Sequence, residues 1–361
     1  MSLSTDNKPP PLPQNIGHRG YKAAFPENSM IAFQGAVDVG ADAIETDLHL
    51  SRDGVVVLSH DASLKRCFGK DEKIADCDWD YLSTLKTVRE PHVGMPRLSD
   101  LLEWLTQPGI ESIWVLLDIK TDDDPDALLG AIARTIAAAP PSPSLPWQER
   151  IVIGAWNETY LSLSRHHLPS HPRAIISFSP LYAQKFLPAP VGSYPHANVD
   201  FNLFQPSLIG PLGARFRRAV QLAARRKLYV WTVNDERWME WCVRKSADGV
   251  ITDDPRLMRE VCERMSGGGG GDDGHEEEEE EEEEAEGSVR KGVADVAARQ
   301  TRRRRCWVGT LGSYVKAGLL QVVTVVVVVL FWRQLDNRGR KRRGKGQERE
   351  TTVPVPVKVK V

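Results

Sequence analysis

A histidine followed by an arginine, with a glycine on either side, closes the first apolar run of the chain as Gly17-His18-Arg19-Gly20. An imidazole titrates near neutrality and can move protons, and a guanidinium fork matches phosphate oxygens. A surface turn with two polar residues also accounts for the tetrapeptide, so its meaning rests on what accompanies it. The next signal is Ala43-Ile44-Glu45-Thr46-Asp47. Strand residues two apart share a face, so the two carboxylates project together. In an apolar strand they repel unless a cation lies between them, and a hard divalent ion is the natural occupant. A solvated edge strand would also carry alternating acids, but the flanking Ala43, Ile44 and Leu48 argue for burial. Ser59-His60-Asp61 brings a second histidine at the end of the run Val55–Leu58. Leu116-Leu117-Asp118-Ile119-Lys120 ends a later run with a carboxylate and, on the same face, a lysine. Asp118 can complete the metal site and Lys120 can bind phosphate; a strand-end salt bridge is the alternative. Trp231 either stacks on substrate or packs in the core.

These groups must be positioned by a scaffold. Nine short apolar runs, from Asn15–Gly17 to Val250–Ile251, alternate with helix-like periodicity in Ser29–Val39, Leu98–Leu105, Pro125–Ala138, Glu158–His167, Ala214–Arg226 and Glu236–Arg244. Alternation of this kind predicts a parallel sheet covered by helices. The connection from Leu50 to Val55 is too short for a helical crossover, and Asp53-Gly54 is a hairpin signal. Val55–Leu58 is therefore predicted to fold back on Ala43–Leu48, with Glu45 opposite His60 or Asp61. The other eight runs make a TIM-type (βα)8 barrel, whose active sites lie at the C-terminal ends of the strands.

The barrel is expected over 14–266 of the 361 residues, after a disordered, proline-rich 1–13 without a signal-like apolar core. Beyond it, 267–306 reads as a disordered Gly/Glu-rich linker, 307–332 as a hydrophobic membrane segment, and 333–361 as a basic disordered tail. Basic clusters flank both ends of the apolar segment, so charge does not fix its orientation, and a re-entrant hairpin stays open. A basic stretch beside an apolar one suits anionic lipid headgroups, so no nucleic-acid partner is expected. The net charge of −2 averages opposite local extremes and identifies no partner. Five cysteines without metal-ligand spacing are read as free thiols in a reducing compartment. An intracellular membrane, with the catalytic domain facing the cytosol, is the expected location; the subunit number is unknown from sequence.

The motifs, in this order, resemble the glycerophosphodiester phosphodiesterase family. The likeness rests on Gly17-His18-Arg19-Gly20, Pro26-Glu27-Asn28-Ser29, Glu45-Thr46-Asp47, Asp53-Gly54, His60-Asp61, Trp231-Thr232-Val233-Asn234 and Asp248–Pro255, and spans Asn15 to Met265. Within the family the chain looks most like the fungal phosphatidylglycerol phospholipase C branch, through Tyr21–Phe25, Leu117–Lys120 and Trp147–Ile151. Asp118 departs from the glutamate usual in the family. The resemblance implies that Glu45, Asp47 and Asp118 hold one divalent cation, Mg²⁺ or Ca²⁺. It implies that Arg19 and Lys120 clamp phosphate oxygens, and that His18 and His60 form a general acid–base pair. The expected substrate is a glycerophospholipid, most simply phosphatidylglycerol; soluble glycerophosphodiesters, or a non-catalytic membrane scaffold, are the alternatives.

Overall fold

The computed structural model describes residues 11–188 and 198–267. Most of the expected linker, and the whole of the apolar segment and basic tail, lie outside the described residues. Among the described residues no helix is long and apolar enough to cross a membrane.

The strands are β1 (Gln14–His18), β2 (Ala43–Leu50), β3 (Val56–Leu58), β4 (Trp114–Ile119), β5 (Ile151–Ala155), β6 (Arg173–Ser177), β7 (Asp200–Phe204), β8 (Leu228–Trp231) and β9 (Gly249–Thr252). All but β3 pair in parallel, and pairing of β1 with both β9 and β2 closes an eight-stranded TIM barrel. Such strands are buried on both faces and therefore read as continuous apolar runs. Ile16, Ala43, Leu116, Val152, Ala174, Tyr229 and Ile251 fill the barrel interior. The alternate residues Ile44, Leu48, Val115, Leu117 and Ile119 face outward into the larger core beneath the helices.

β3 runs antiparallel to β2, as the Asp53-Gly54 turn requires. Gly54 sits at φ +84°, and the Ser51 hydroxyl donates to Asp53 while accepting from the Val55 N–H at 2.8 Å. The register is the expected one, but the ladder stops before it reaches Glu45. Leu48 pairs with Leu58, and the bond from the Ser59 N–H to the Asp47 carbonyl ends the ladder. Extended further, the register would set Asp61 opposite Glu45, but Asp61 instead takes the Arg66 guanidinium.

Ser29 caps the helix Met30–Asp38, and Asp124 and Asn157 cap Pro125–Ala138 and Glu158–His167. The helix expected at Ala214 begins at Gly210 and passes into a π-helical stretch at Ala219–Ala224. Two features are new relative to sequence. Residues between β3 and β4 build a satellite core from Leu64, Phe68, Ile74, Leu82, Leu85 and Met95 around two one-turn helices. A final helix, Pro255–Gly267, follows β9.

Candidate active site

Parallel pairing sets His18 beside Glu45 and Asp47 beside Asp118 at the C-terminal ends of β1, β2 and β4. Glu45, Asp47 and Asp118 are buried, and each offers an oxygen within 4.8 Å of the others. Two protein cations reach into this cluster. Lys120 Nζ lies 2.6 Å from Asp47 Oδ1 and donates to Asp118 Oδ2 at 2.7 Å. Arg19 Nε lies 3.1 Å from Asp47 Oδ2, and its Nη1 donates to Glu27 at 2.8 Å. Asn28, at φ +51°, donates to Asp47 at 2.8 Å and accepts from the Thr46 hydroxyl.

The charge balance within the triad is uneven. Burial pushes the Asp47 carboxyl up, but Lys120 and Arg19 outweigh it and hold the group well below its usual range. Glu45 receives the Arg19 N–H at 3.1 Å and no close side-chain cation, so burial and the neighbouring Asp47 and Asp118 push its carboxyl well above the usual range. Three clustered carboxylates, one of them uncompensated, fit a hard divalent cation. The shorter side chain of Asp118 still reaches the cluster, with its Oδ1 accepting from Trp156 Nε1 at 2.7 Å.

Each histidine is oriented through Nδ1. His18 Nδ1 lies 2.5 Å from Asp253, whose other oxygen accepts from Asn234 and Lys22. His18 Nε2 is thereby turned into the site, 4.0 Å from Glu45. His60 Nδ1 lies 2.7 Å from Asp61. Burial lowers both imidazoles, against the opposing pull of Asp253 on His18 and of Asp47 on His60. Burial also pushes Asp253 up, but the bond to His18 and the charges of His18 and Lys22 prevail and bring it to about 2. Nδ1 of each ring is thereby committed to a carboxylate.

Two surfaces of different character flank the centre. On one side a cleft of about 200 Å³ is lined by Lys22, Glu27, Arg66, Thr87, Arg89 and Asp253. On the other, Trp156, Phe178, Phe204 and Trp231 form an aromatic wall, with centroids 4.9 to 5.8 Å apart. Trp231 Nε1 donates to the Asn202 carbonyl, and Trp156 links the wall to Asp118 by its hydrogen bond. Seven of the eight residues singled out from sequence converge around the triad, and Trp231 stands one ring away. Glu27, Asn28, Asn234 and Asp253 stood within quoted motifs but were assigned no place in the site. Trp156, immediately after β5, carried the signal of a strand-end residue.

Fold and site together define a barrel enzyme built on an acidic triad and two carboxylate-held imidazoles. The profile of the Glycerophosphoryl diester phosphodiesterase family matches residues 18–257. The chain belongs to this family, whose members are phosphoric diester hydrolases dependent on a divalent metal. A probable glycerophosphodiester phosphodiesterase 2 of Mycobacterium tuberculosis is 30% identical, over 68% of this chain and 89% of its own. The lysophospholipase D GDPD1 of Rattus norvegicus is 27% identical, over 71% of this chain and 88% of its own. An Oleispira antarctica phosphodiesterase, solved with the product sn-glycerol-3-phosphate, shares the fold at TM-score 0.59 and 20% identity, over 70% of this chain and 97% of its own.

Proposed function

We propose that this phosphodiesterase cleaves a glycerophospholipid, converting phosphatidylglycerol to diacylglycerol and glycerol 3-phosphate. The observation that carries the lipid assignment is the half-buried aromatic wall, exposed at Phe178, that flanks the centre together with a polar cleft. Phe178 is 38% exposed and Leu181, on the helix that follows it, 52% exposed. Such a rim suits an apolar leaving group, while Lys22, Thr87 and Arg89 suit a hydroxylated headgroup. The lysophospholipase D name of the rat relative supports a lipid diester within the family.

Glu45, Asp47 and Asp118 would hold one Mg²⁺ or Ca²⁺ ion, which supplies Lewis-acid neutralisation of phosphate charge when bound. Arg19 and Lys120 clamp the remaining phosphate oxygens and meet the charge that grows in displacement. His18 and His60 present Nε2 as acid–base groups, each transfer contributing about 10²–10⁴-fold. One takes the proton of the headgroup's neighbouring hydroxyl as that oxygen attacks phosphorus. The other gives a proton to the departing diacylglycerol oxygen. Reversed roles then let water open the cyclic phosphate. Rapid quench should show cyclic glycerol phosphate; its absence would leave direct attack by water. Trp231 braces the aromatic wall against which the apolar part lies.

The barrel occupies 14–266 in this reading, tethered through 267–306 to a membrane segment at 307–332, with 333–361 as a basic tail. The enzyme would work on an intracellular membrane from its cytosolic side. The test is turnover of phosphatidylglycerol vesicles and, separately, of glycerophosphoglycerol, with and without divalent cation, with His18→Ala as control. Cation-dependent cleavage of the lipid, absent in the variant, is expected. Turnover of the soluble diester alone would make the chain a glycerophosphodiesterase, and turnover of neither would sink both assignments.

A further inference from the structure

β2 carries a third polar residue on its inward face, two beyond Asp47. His49 is fully buried and touches no residue of the triad in any hydrogen bond. Its Nδ1 lies 2.7 Å from Asp123 Oδ2, and its Nε2 lies 3.2 Å from the backbone carbonyl of His60. A carboxylate and a carbonyl only accept, so both ring nitrogens donate. Asp123 Oδ2 also accepts the Leu50 N–H at 3.2 Å. Asp123 precedes Asp124, which caps the long helix Pro125–Ala138 by accepting from the Ala127 N–H. A continuous path therefore runs from a fixed helix end, through Asp123 and the His49 ring, to the peptide group of His60. It spans 74 residues of sequence between His49 and Asp123.

His60 needs such support. Its strand, β3, is only three residues long, and the ladder ends at Ser59. Beyond that point Asp61 orients the imidazole, but the same carboxylate is shared with the half-exposed Arg66. A ring held from its tip by a shared surface partner still swings if its backbone is loose. A displacement of about 1 Å in a proton-transfer group costs on the order of 10²-fold in rate.

We propose that His49 is a positioning residue for the reaction, clamping the backbone of His60 to the loop after β4 through a doubly donating imidazole anchored by Asp123. This rests on the acid–base role given to His60 above. The clamp also fixes the Lys120 loop to the β2–β3 hairpin, so a phosphate-binding cation and a proton-transfer group move as one body.

The test is a double-mutant cycle on cation-loaded full-length protein, with a glycerophosphodiester as substrate. His49→Phe keeps the ring volume and removes both donors. In the wild-type background it should lower kcat by about 10–100-fold with KM changed less than about twofold. In a His60→Ala background the same change should cost less than about threefold, because the residue being positioned is gone. A merely structural role would cost the same factor in both backgrounds, and that result overturns the proposal. His49→Gln, whose amide can still donate to the His60 carbonyl, should recover part of kcat. It also keeps the test open if the phenylalanine variant does not fold; wild-type kcat in the phenylalanine variant, or a glutamine variant that loses as much as removal of both donors is expected to cost, would defeat the clamp. Full activity in His60→Ala alone would instead remove the role assigned to His60, a failure that the cycle separates from that of His49.

Discussion

Arg19 and Lys120 bring two positive charges to three buried carboxylates, and both lie against Asp47. Glu45 is left with a raised carboxyl pKa, caused first by burial and then by Asp47 and Asp118. A raised carboxyl pKa means that the folded state binds the proton more tightly than the unfolded chain. The folded state therefore loses stability as pH rises from the unfolded value near 4.5 towards the raised one. Glu45→Gln removes this cost. Without divalent cation the variant should melt above the wild type, and the difference should widen between pH 4.5 and neutrality. Wild-type protein should gain about 2.7 kcal/mol from a cation at 100 times its Kd, and the variant much less. Activity should fall by at least about 10²-fold, since the neutral amide weakens the cation site. Melting curves with and without Mg²⁺ or Ca²⁺ check this; a variant less stable than wild type in chelator would mean that Glu45 is compensated after all.

The loop after β1 depends on a close backbone approach. Gly20 sits at φ +82°, and a Cβ there would lie 2.6 Å from the Ala32 carbonyl carbon and 2.7 Å from its oxygen. Those atoms belong to the first turn of Met30–Asp38, so no side-chain rotation relieves the clash. Gly20→Ala should cost about 2–4 kcal/mol and depress kcat/KM beyond the loss of folded protein, because His18 and Arg19 move with the loop. Gly54→Ala is the control, at φ +84° with nothing within 4 Å of the new atom. It should cost about 1 kcal/mol and leave kcat/KM unchanged. Urea melts with parallel assays distinguish them; equal effects would show that the Ala32 contact is unimportant. At this scale the sequence was informative where geometry is local. The nine strands showed as apolar runs, Glu45 with Asp47 and Asp118 with Lys120 showed through the two-residue period, and Asp53-Gly54 marked the hairpin. The satellite core after β3 did not show, because its one-turn helices Lys65–Phe68 and Trp79–Leu82 are too short for a period. Contacts made only once strands pair were equally hidden: His18 meets Asp253 across 235 residues where β1 closes on β9, and Trp156 meets Asp118 across 38 between β5 and β4.

For the whole molecule, the barrel and its extension are separable in function under the proposed lipid assignment. The helix Pro255–Gly267 buries Met258, Val261 and Cys262 against the barrel core, so a chain ending at 267 keeps every packed residue described here. The triad, the imidazoles and the polar cleft all lie within it. What such a chain would lack is the apolar stretch from Trp307 to Trp332, whose proposed role is to hold the enzyme at the bilayer. Tethering adds no contact to the reacting phosphate; it raises the local concentration of substrate by about 10²–10⁴-fold when the geometry permits engagement. Truncation after 267 should therefore leave kcat/KM on glycerophosphoglycerol within about twofold of the full chain, and lower turnover of phosphatidylglycerol vesicles by about 10²-fold. The loss should be recovered when the lipid is presented in detergent micelles, where a soluble enzyme and a tethered one meet substrate alike. Undiminished turnover of vesicles by the truncated chain would show that the barrel reaches the bilayer unaided, with Phe178 and Leu181 as the apolar contact, and that the extension serves another purpose.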